Sequence, residues 1–339
     1  MQNVWYTIKR TTKSYKTWFL KLCYPSETFF IKGYLRKKYI LKGFVFMSYQ
    51  IISDGSCDLL PSYTKEHNVT VVPFYVSFDG ETYLKEGIDI EHDEFYRRMI
   101  EDHEFPKSSL PSVQDYVDAF MPYVLEKKPI ICICITEKFS GSYQSAMNAA
   151  RIVKEDYPDA KIEVVNSMVD TVLQGIFVNE VVRMRDAGLS LEDTLNKMQE
   201  IIPSGRIIFT ISNIEYLKKG GRIGKLLSLA SDKLGIKPLI TLKEGEIFPS
   251  GITRSRGKAL KKIVDLAKSH FEKNNLNPKD YQFCVGTGIT TDEAHELAAM
   301  LEEELDIKIE FWDVRIGTTI GTHTGPYPIG TSFIRKYDA

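Results

Sequence analysis

A strand, a short turn and a helix follow one another between Pro129 and Arg151, and this stretch constrains the fold most. Its first part, Ile130–Ile135, is a continuous apolar run with the length and β-branched content of a strand buried on both faces. Its last part carries apolar residues at the spacing of one buried helical stripe: Tyr143, Ala146, Met147 and Ala150. A fully buried strand that leads into a helix predicts a parallel sheet covered by helices.

The turn of this unit consists of Ser140, Gly141 and Ser142. In an open α/β sheet, such a turn lies at the carboxyl edge, where ligands bind. It leaves backbone N–H groups and the positive end of a helix dipole free, and the two serine hydroxyls add donors. These features predict a site for a carboxylate or a phosphate. A serine N-cap followed by a turn glycine would give the same residues without a ligand.

The alternation of strand and helix signals continues to Pro203 and then changes. It predicts a doubly wound, mainly parallel α/β domain over residues 47–204. Beyond it, two strands joined by Lys243-Glu244-Gly245-Glu246 form a predicted hairpin, and two amphipathic helices each precede a strand. We therefore expect a second, mixed-sheet α/β domain over residues 205–339. A junction near residue 204 favours a ligand between the two domains.

The first 46 residues differ from the rest in charge. They hold ten Lys and Arg residues and one acid, whereas the remainder holds 34 basic and 44 acidic residues. The acidic balance of the main body disfavours nucleic-acid binding. We expect residues 1–46 to be a basic and aromatic extension outside the fold, without a membrane span or a signal peptide. Three interpretations stay open: an extension upstream of a start at Met47, a segment that contacts a membrane surface, or a disordered arm.

The five cysteines are odd in number and lack the paired spacing of metal ligands. They are Cys23, Cys57, Cys132, Cys134 and Cys284. This usage predicts small core residues of a protein in the reducing cytoplasm, and no metal site.

Two further stretches carry candidate site residues. Residues 316–330 contain too many glycines and hydroxyls for a regular core element, and a close approach of the backbone to a ligand would explain them. This predicted loop includes His323, although a lone loop histidine is more commonly structural or solvated. Pro106–Ser112 is a second hydroxyl-rich loop, in which Ser112 and Asp115 also fit a helix-capping box.

Gly220-Gly221-Arg222-Ile223-Gly224 does not match the phosphate-binding pattern GxxxxGK[ST]. Glycine after two lysines is typical of a helix C terminus, and Arg222 could still bind an anion or a partner. A serine hydrolase would need a base beside Ser140 or Ser142, and only His323 could act in that way.

Taken together, these motifs resemble those of the DegV family over about residues 48–339. In chain order the matching stretches are Asp54–Leu59, Pro106–Ser112, Phe139–Ala146, Tyr216–Ile223, Ile236–Glu246, Arg254–Leu260 and His323–Pro326. The resemblance implies a long-chain fatty acid such as palmitate, held in an apolar tunnel between the domains. It also implies a carrier subunit of bacterial fatty acid kinase, with no cofactor and no nucleotide site of its own.

The resemblance further implies a role for individual residues. The carboxylate of the fatty acid would be bound by Ser108, Ser109, Ser140, the backbone amides of Gly141 and Ser142, and His323. Arg222 matches an arginine associated with function once the partner kinase has phosphorylated the head group. Serine replaces the family's usual threonine at Ser108 and Ser142, and this exchange keeps the hydroxyl donor.

The sequence therefore predicts a cytoplasmic fatty-acid carrier that presents a carboxylate to a separate ATP-dependent kinase, which forms an acyl phosphate. Burial of the tail at about 0.8 kcal/mol per CH₂ and convergence of donors on the carboxylate agree with this interpretation. One alternative is a serine-type or phosphatase-like hydrolase that uses Ser140 and His323. Another is an adaptor that makes transient membrane-surface contact through residues 1–46.

Overall fold

The computed structural model describes residues 18–24, 27–33, 48–212, 214–229 and 235–339. The chain separates into two units, Met1–Phe46 and Met47–Ala339. Within the first unit, strands β1 (Trp18–Tyr24) and β2 (Glu27–Gly33) form an antiparallel hairpin, which the sequence analysis missed. The interpretations offered for the other residues of 1–46 fall outside the described residues. No helix of the described ranges is long and apolar enough to cross a membrane.

The second unit alternates strands and helices along the chain. Its strands up to residue 204 are β3 (Gln50–Asp54), β4 (Val69–Val72), β5 (Tyr75–Ser77), β6 (Leu84–Lys85), β7 (Lys107–Ser109), β8 (Ile130–Cys134) and β9 (Ile162–Asn166). Its later strands are β10 (Arg206–Thr210), β11 (Lys237–Lys243), β12 (Glu246–Thr253), β13 (Tyr281–Thr287), β14 (Phe311–Arg315) and β15 (Ile329–Arg335). Its helices are α1 (Pro61–Glu66), α2 (His92–Ile100), α3 (Val113–Leu125), α4 (Ser142–Asp156), α5 (Thr171–Asp186), α6 (Leu191–Ile201), α7 (Glu215–Lys219), α8 (Arg256–Lys273), α9 (Thr291–Leu305) and α10 (Thr318–Thr324).

The predicted parallel sheet is present, with strand order β4-β3-β8-β9 and every pairing parallel. Strands β3 and β8 are buried along their whole length. The sequence also predicts a single strand over Val69–Phe78, and this prediction is wrong. Pro73, which has no N–H for a ladder, separates β4 from β5, and β5 pairs instead in a small antiparallel sheet of order β6-β5-β7.

The second large sheet is mixed, as predicted. Its order is β12-β11-β10-β15-β13-β14, and only β13 and β14 pair in parallel among these neighbours. The predicted hairpin joins β11 to β12 through Glu244 and Gly245, whose φ values are 54° and 80°. Two positive φ values in a two-residue loop match the twist of the flanking strands, which is why glycine suits the second position.

Helix α5 lies between the two large sheets. It is buried continuously from Thr171 to Val182, because its apolar residues pack on the parallel sheet through Ile51 and Ile131 and on the mixed sheet through Ile207 and Ile240. Helices α3 and α4 cover the other face of the parallel sheet, and α8 and α9 cover the other face of the mixed sheet. The five layers are, in order, helices α3 and α4, the parallel sheet, helix α5, the mixed sheet, and helices α8 and α9.

The buried stripe of helix α4 differs by one position from the prediction. Met147 is 41% exposed, whereas Ala146, Ala149, Ala150 and Val153 pack on the parallel sheet. Small alanine side chains allow the helix to approach the sheet closely, so the larger Met147 lies outside the contact.

Two stretches that the sequence predicts as loops are regular elements. Ser108 and Ser109 belong to β7 and pair with Val76 and Tyr75. Residues 316–330 contain helix α10, which carries His323, and the start of β15, an inner strand of the mixed sheet.

Side-chain packing explains the glycines and hydroxyls of this stretch. A Cβ atom on Gly321 would lie 2.7 Å from Tyr96 Oη. The glycine therefore allows helix α10 to pack against Tyr96, and no ligand is needed to explain it. The hydroxyls of Thr322 and Thr324 donate to the carbonyls of Thr318 and Ile320 within the helix, at 2.9 and 3.0 Å. A polar, glycine-containing sequence can therefore form a buried helix here.

The prediction of small core residues is confirmed for the four cysteines whose side chains are described. Cys57, Cys132, Cys134 and Cys284 are buried and form no disulfide with one another. Cys132 and Cys134 point to the same side of β8, with their Sγ atoms 3.9 Å apart.

Candidate functional site

Four separate segments converge on one pocket of about 170 Å³, which we call the outer pocket. Strand β7 contributes Ser108 and Ser109, and the turn before α4 contributes Ser140. Arg222, beyond α7, and His323, on α10, complete the polar part of the lining. Five of the residues named from the sequence therefore lie around a single cavity.

His323 forms the central polar contact of the outer pocket. Its Nε2 atom lies 2.9 Å from Ser108 Oγ, a hydrogen bond between residues far apart in the chain. Its Nδ1 atom is buried and has no hydrogen-bond partner. Burial, with a smaller contribution from the charge of Arg222, lowers the pKa of His323 to about 4. At neutral pH the ring is therefore uncharged and has one donor and one acceptor nitrogen.

Glu86 holds helix α10, and thereby His323, in position. Its carboxylate accepts hydrogen bonds from the backbone amides of Thr318 and Thr319, the latter at 3.3 Å, and from Thr319 Oγ1 at 2.8 Å. A carboxylate at the first turn of a helix satisfies free N–H groups and complements the helix dipole. Tyr96 Oη donates to the Ile316 carbonyl at 2.7 Å and fixes the approach to the helix.

The turn before α4 places its two serines differently. Ser140 lines the outer pocket, and its Oγ atom accepts a hydrogen bond of 3.2 Å from the Ser142 amide. Ser142 is fully buried beneath the turn, where its hydroxyl contacts Asp54 Oδ2 at 2.7 Å and Tyr116 Oη at 2.6 Å. Gly141 and Ser142 do not line the pocket. The ligand contacts predicted for their amides, like those of the five lining residues, stay predictions.

Asp54, at the end of β3, holds this turn in place through hydrogen bonds. Its carboxylate accepts hydrogen bonds from four donors: Ser56 Oγ at 2.6 Å, Ser142 Oγ at 2.7 Å, Gln174 Nε2 at 2.8 Å and the Ile135 amide at 2.9 Å. Burial raises the pKa of Asp54, and these hydrogen bonds oppose the increase. The side chain therefore connects β8, α4 and α5 at the carboxyl edge of the parallel sheet.

The remainder of the outer pocket is largely apolar and continues inward. A smaller pocket of about 40 Å³, the inner pocket, shares Asp170, Phe209, Ile247, Ile320 and Thr324 with it. Ile207, Leu242 and Ile329 line the deeper part. The two pockets adjoin at these shared residues, and we call them together the tunnel. Hydroxyls, an imidazole and a guanidinium line the outer pocket, and most residues that line the inner pocket are apolar. Such a tunnel suits a molecule with a polar head and an apolar tail.

Comparison with known proteins assigns the chain to a family. Residues 48–336 match the family model described as "Uncharacterised protein, DegV family". A DegV domain-containing protein of Caldanaerobacter subterraneus is 31% identical over 288 residues, which cover 84% of this chain and 98% of the relative. The chain belongs to the DegV family. The predicted resemblance is thereby confirmed.

Two solved structures are similar to this DegV protein. A stearic acid-binding protein from Eubacterium ventriosum is 46% identical, with a TM-score of 0.82, and the match covers 86% of this chain and 99% of that protein. A fatty-acid-binding DegV family protein from Thermus thermophilus is 26% identical, with a TM-score of 0.76, over 85% of this chain and 100% of that protein. These matches agree with the two-part α/β fold described above.

The geometry of this DegV protein does not favour the alternative prediction of a serine hydrolase. The hydrogen bond of His323 goes to Ser108 rather than to Ser140, and Nδ1 lacks the acidic partner that orients a catalytic histidine. Among the described residues, the pair Ser140 and His323 therefore does not form a nucleophile and its base.

Sequence reasoning missed Asp170, whose carboxyl group lines the tunnel. It directly precedes helix α5 and lines both pockets. One signal could have identified it: an acidic residue shortly after the last predicted strand of a parallel sheet lies near the edge where ligands bind.

The low pKa of His323 predicts a specific pH dependence. In the unfolded chain the imidazole has a pKa near 6.5, so the unfolded state binds a proton before the folded state does as the pH falls. Because of His323, the free energy of unfolding should be highest above about pH 6.5 and should fall by up to about 3 kcal/mol as the pH approaches 4. The measurement is the unfolding free energy of the wild type minus that of His323→Gln, in urea, across this range. A difference that does not change with pH would contradict the prediction.

Proposed function

We propose that this DegV protein binds a long-chain fatty acid, such as palmitate, in the tunnel and presents its carboxylate to a partner ATP-dependent kinase. The observation that carries the proposal is the convergence of Ser108, Ser140 and His323 at one end of an apolar tunnel. A carboxylate that leaves water needs several donors, and an alkyl tail gains about 0.8 kcal/mol for each buried CH₂. The fatty-acid ligands of the similar Eubacterium and Thermus proteins support the same ligand class.

In the proposed complex the hydroxyls of Ser108, Ser109 and Ser140 donate to the carboxylate. The neutral ring of His323 orients Ser108 through the 2.9 Å hydrogen bond. Because His323 stays neutral, no buried ion pair forms with the carboxylate. The carboxylate remains accessible from the side of Arg222, which is exposed. The described cysteine side chains form no disulfide with one another, which supports a reducing compartment, so we place the carrier in the cytoplasm.

Arg222 is the residue proposed to contact the acyl phosphate that the kinase forms. Its Nε donates to the Phe139 carbonyl at 3.1 Å, and its Nη1 donates to the Gly220 carbonyl at 2.7 Å. These bonds hold a guanidinium beside the turn that carries Ser140. A planar guanidinium at this position can bind a phosphate, whose charge exceeds that of the carboxylate it replaces.

The first experiment tests the ligand. We expect organic extraction of the purified protein, followed by mass spectrometry, to release fatty acid, and octadecanoate to bind the delipidated protein. Loss of one hydrogen bond to a charged group costs about 1.5–3 kcal/mol, so Ser140→Ala should weaken binding by at least about tenfold. Ser145→Ala, on helix α4 outside the pocket lining, is the matched control.

Two outcomes would contradict the proposed ligand. Absence of fatty acid in the extract, together with no binding of added octadecanoate, would exclude a fatty-acid carrier. Ester hydrolysis that Ser140→Ala abolishes would favour the hydrolase instead.

The second experiment tests the kinase step. With ATP and a fatty acid kinase catalytic subunit, the loaded protein should yield acyl phosphate, which hydroxylamine traps as a hydroxamate. Arg222→Ala should lower the yield of hydroxamate more than it lowers fatty-acid affinity, whereas Arg151→Ala, exposed on helix α4, should change neither. Absence of hydroxamate with wild-type protein that is loaded with fatty acid would refute the kinase step while leaving fatty-acid binding intact.

A further inference from the structure

The tunnel contains a carboxyl group that a plain fatty acid does not need. Asp170 is 9% exposed and lies directly before helix α5. It lines both the outer and the inner pocket, so it lies where the two join. The surrounding walls at this junction include Phe209, Ile247 and Ile320, which are apolar.

No described group satisfies the Oδ1 atom of Asp170. The residue occupies the N-cap position of α5, where aspartate usually accepts a hydrogen bond from the first turn, yet its side chain makes no such bond. Leaving a buried polar atom without a partner costs about 1–3 kcal/mol. The orientation of Asp170 is therefore unfavourable unless a partner is supplied from inside the tunnel.

Other unpartnered atoms are concentrated in the same tunnel. Six buried side-chain oxygen or nitrogen atoms of the described residues lack a hydrogen-bond partner. Three of them, on Asp170, His323 and Ser332, belong to residues that line the outer or the inner pocket. Ser332 is fully buried and lies in the inner pocket, beyond the polar end of the tunnel. A ligand with polarity at its head alone would leave the inner atoms unsatisfied.

A hydroxyl group on the acyl chain would supply the missing partner. Burial raises the pKa of Asp170 to about 7, so the protonated and ionised forms are both populated near neutral pH. A hydroxyl accepts a hydrogen bond from the protonated form and donates one to the ionised form. A second carboxylate would instead repel the ionised form, and a methylene group can satisfy neither.

On the basis of the fatty-acid binding proposed above, we infer that the acyl chain carries a hydroxyl group at a mid-chain carbon and that Asp170 hydrogen-bonds to it. Among the fatty acids that the site binds, hydroxy fatty acids are then the preferred class. The head group is bound in the outer pocket, the hydroxyl lies at the junction, and the end of the chain lies in the inner pocket. Asp170 selects this class through a polar contact at the junction of the two pockets.

The test compares octadecanoic acid with hydroxyoctadecanoic acids that carry the hydroxyl at carbon 3, 7, 10 or 12. Affinities are measured by calorimetry on the delipidated full chain. We expect at least one mid-chain isomer to bind at least tenfold more tightly than octadecanoic acid. In Asp170→Ala the order should reverse, because octadecanoic acid no longer faces a carboxyl group and the hydroxyl has lost its partner. Asp170→Asn, which keeps an acceptor oxygen, should retain part of the preference.

Controls separate this inference from the proposal on which it rests. Asp156→Ala, exposed at the end of helix α4, should keep the wild-type order of affinities, and thermal melts establish that each variant is folded. If octadecanoic acid binds but no hydroxy isomer binds more tightly, a water molecule satisfies Asp170 and the inference is wrong, whereas fatty-acid binding stands. If the preference persists in Asp170→Ala, another residue recognises the hydroxyl and the assignment to Asp170 is wrong. If no fatty acid binds at all, both proposals fail.

Discussion

Gly220→Ala should weaken fatty-acid binding by at least about tenfold while leaving the protein folded. A Cβ atom at this position would overlap His323 Nδ1 and lie 2.8 Å from His323 Cε1, so the imidazole would have to move. Movement of the ring breaks the hydrogen bond to Ser108 and disorders the donors proposed for the carboxylate. Alanine itself is compatible with the backbone, because Gly220 has φ −76° and ends helix α7 in a right-handed conformation.

The measurement is the affinity for octadecanoic acid, with circular dichroism as the check on folding. Gly257→Ala is the matched control, since no atom lies within 4 Å of its Cβ position. In helix α8 this exchange should increase stability slightly, because alanine has the higher helix propensity, and it should not affect binding. Wild-type affinity in Gly220→Ala would mean that the position of His323 does not determine fatty-acid binding.

Asp54→Ala should lower the free energy of unfolding by about 3–5 kcal/mol, because it removes several hydrogen bonds to one buried carboxyl group. The exchange leaves four buried donors, including Ser142 Oγ and the Ile135 amide, without their acceptor. Ser56, Ser142 and Gln174 each keep a second contact but lose their hydrogen bond to the carboxylate. Together with the loss at the Ile135 amide, the sum exceeds the cost of one ordinary hydrogen bond. Because the same carboxylate holds Ser142, the turn that carries Ser140 should lose its shape as well.

Urea unfolding measures this effect, and Ser56→Ala provides the comparison. Ser56 supplies one of the four hydrogen bonds, at 2.6 Å, and also contacts Gln174 Oε1 at 2.9 Å, so its loss should cost about 1–2 kcal/mol. If Asp54→Ala cost no more than Ser56→Ala, the carboxylate would not act as the common anchor of β8, α4 and α5. If Asp54→Ala were destabilised but bound octadecanoic acid with wild-type affinity, the anchor would be unnecessary for the site.

Most secondary structure could be predicted because local pattern determines it. The apolar run of β8, the helical spacing of α4 and the two-residue turn between β11 and β12 each depend on neighbours only a few residues away. The capping box at Ser112 and Asp115 formed as predicted, since its two hydrogen bonds span three residues. By contrast, α10 and β15 were missed, because their threonines and glycines are unfavourable without tertiary packing.

The candidate site could be predicted only in part. The motifs identified Ser108, Ser140, Arg222 and His323, and these residues do line one pocket. Their mutual geometry could not be predicted, because Ser108 and His323 lie 215 residues apart in the chain. Sequence spacing also gave no indication that Ser142 would turn towards Asp54 rather than towards the pocket.

Local pattern was enough to predict the alternation of strands and helices and the parallel sheet, because hydrophobic period and turn chemistry act between near neighbours. The residues predicted to bind a carboxylate came from the resemblance of the motifs to those of the DegV family. Tertiary contacts were needed for three other outcomes: Pro73 separates two sheets, a segment with several glycines forms the helix that carries His323, and Asp170 lines both pockets with an unpartnered Oδ1 atom. These outcomes depend on burial and on contacts between distant segments, which set the free energy of polar groups and which no local pattern contains.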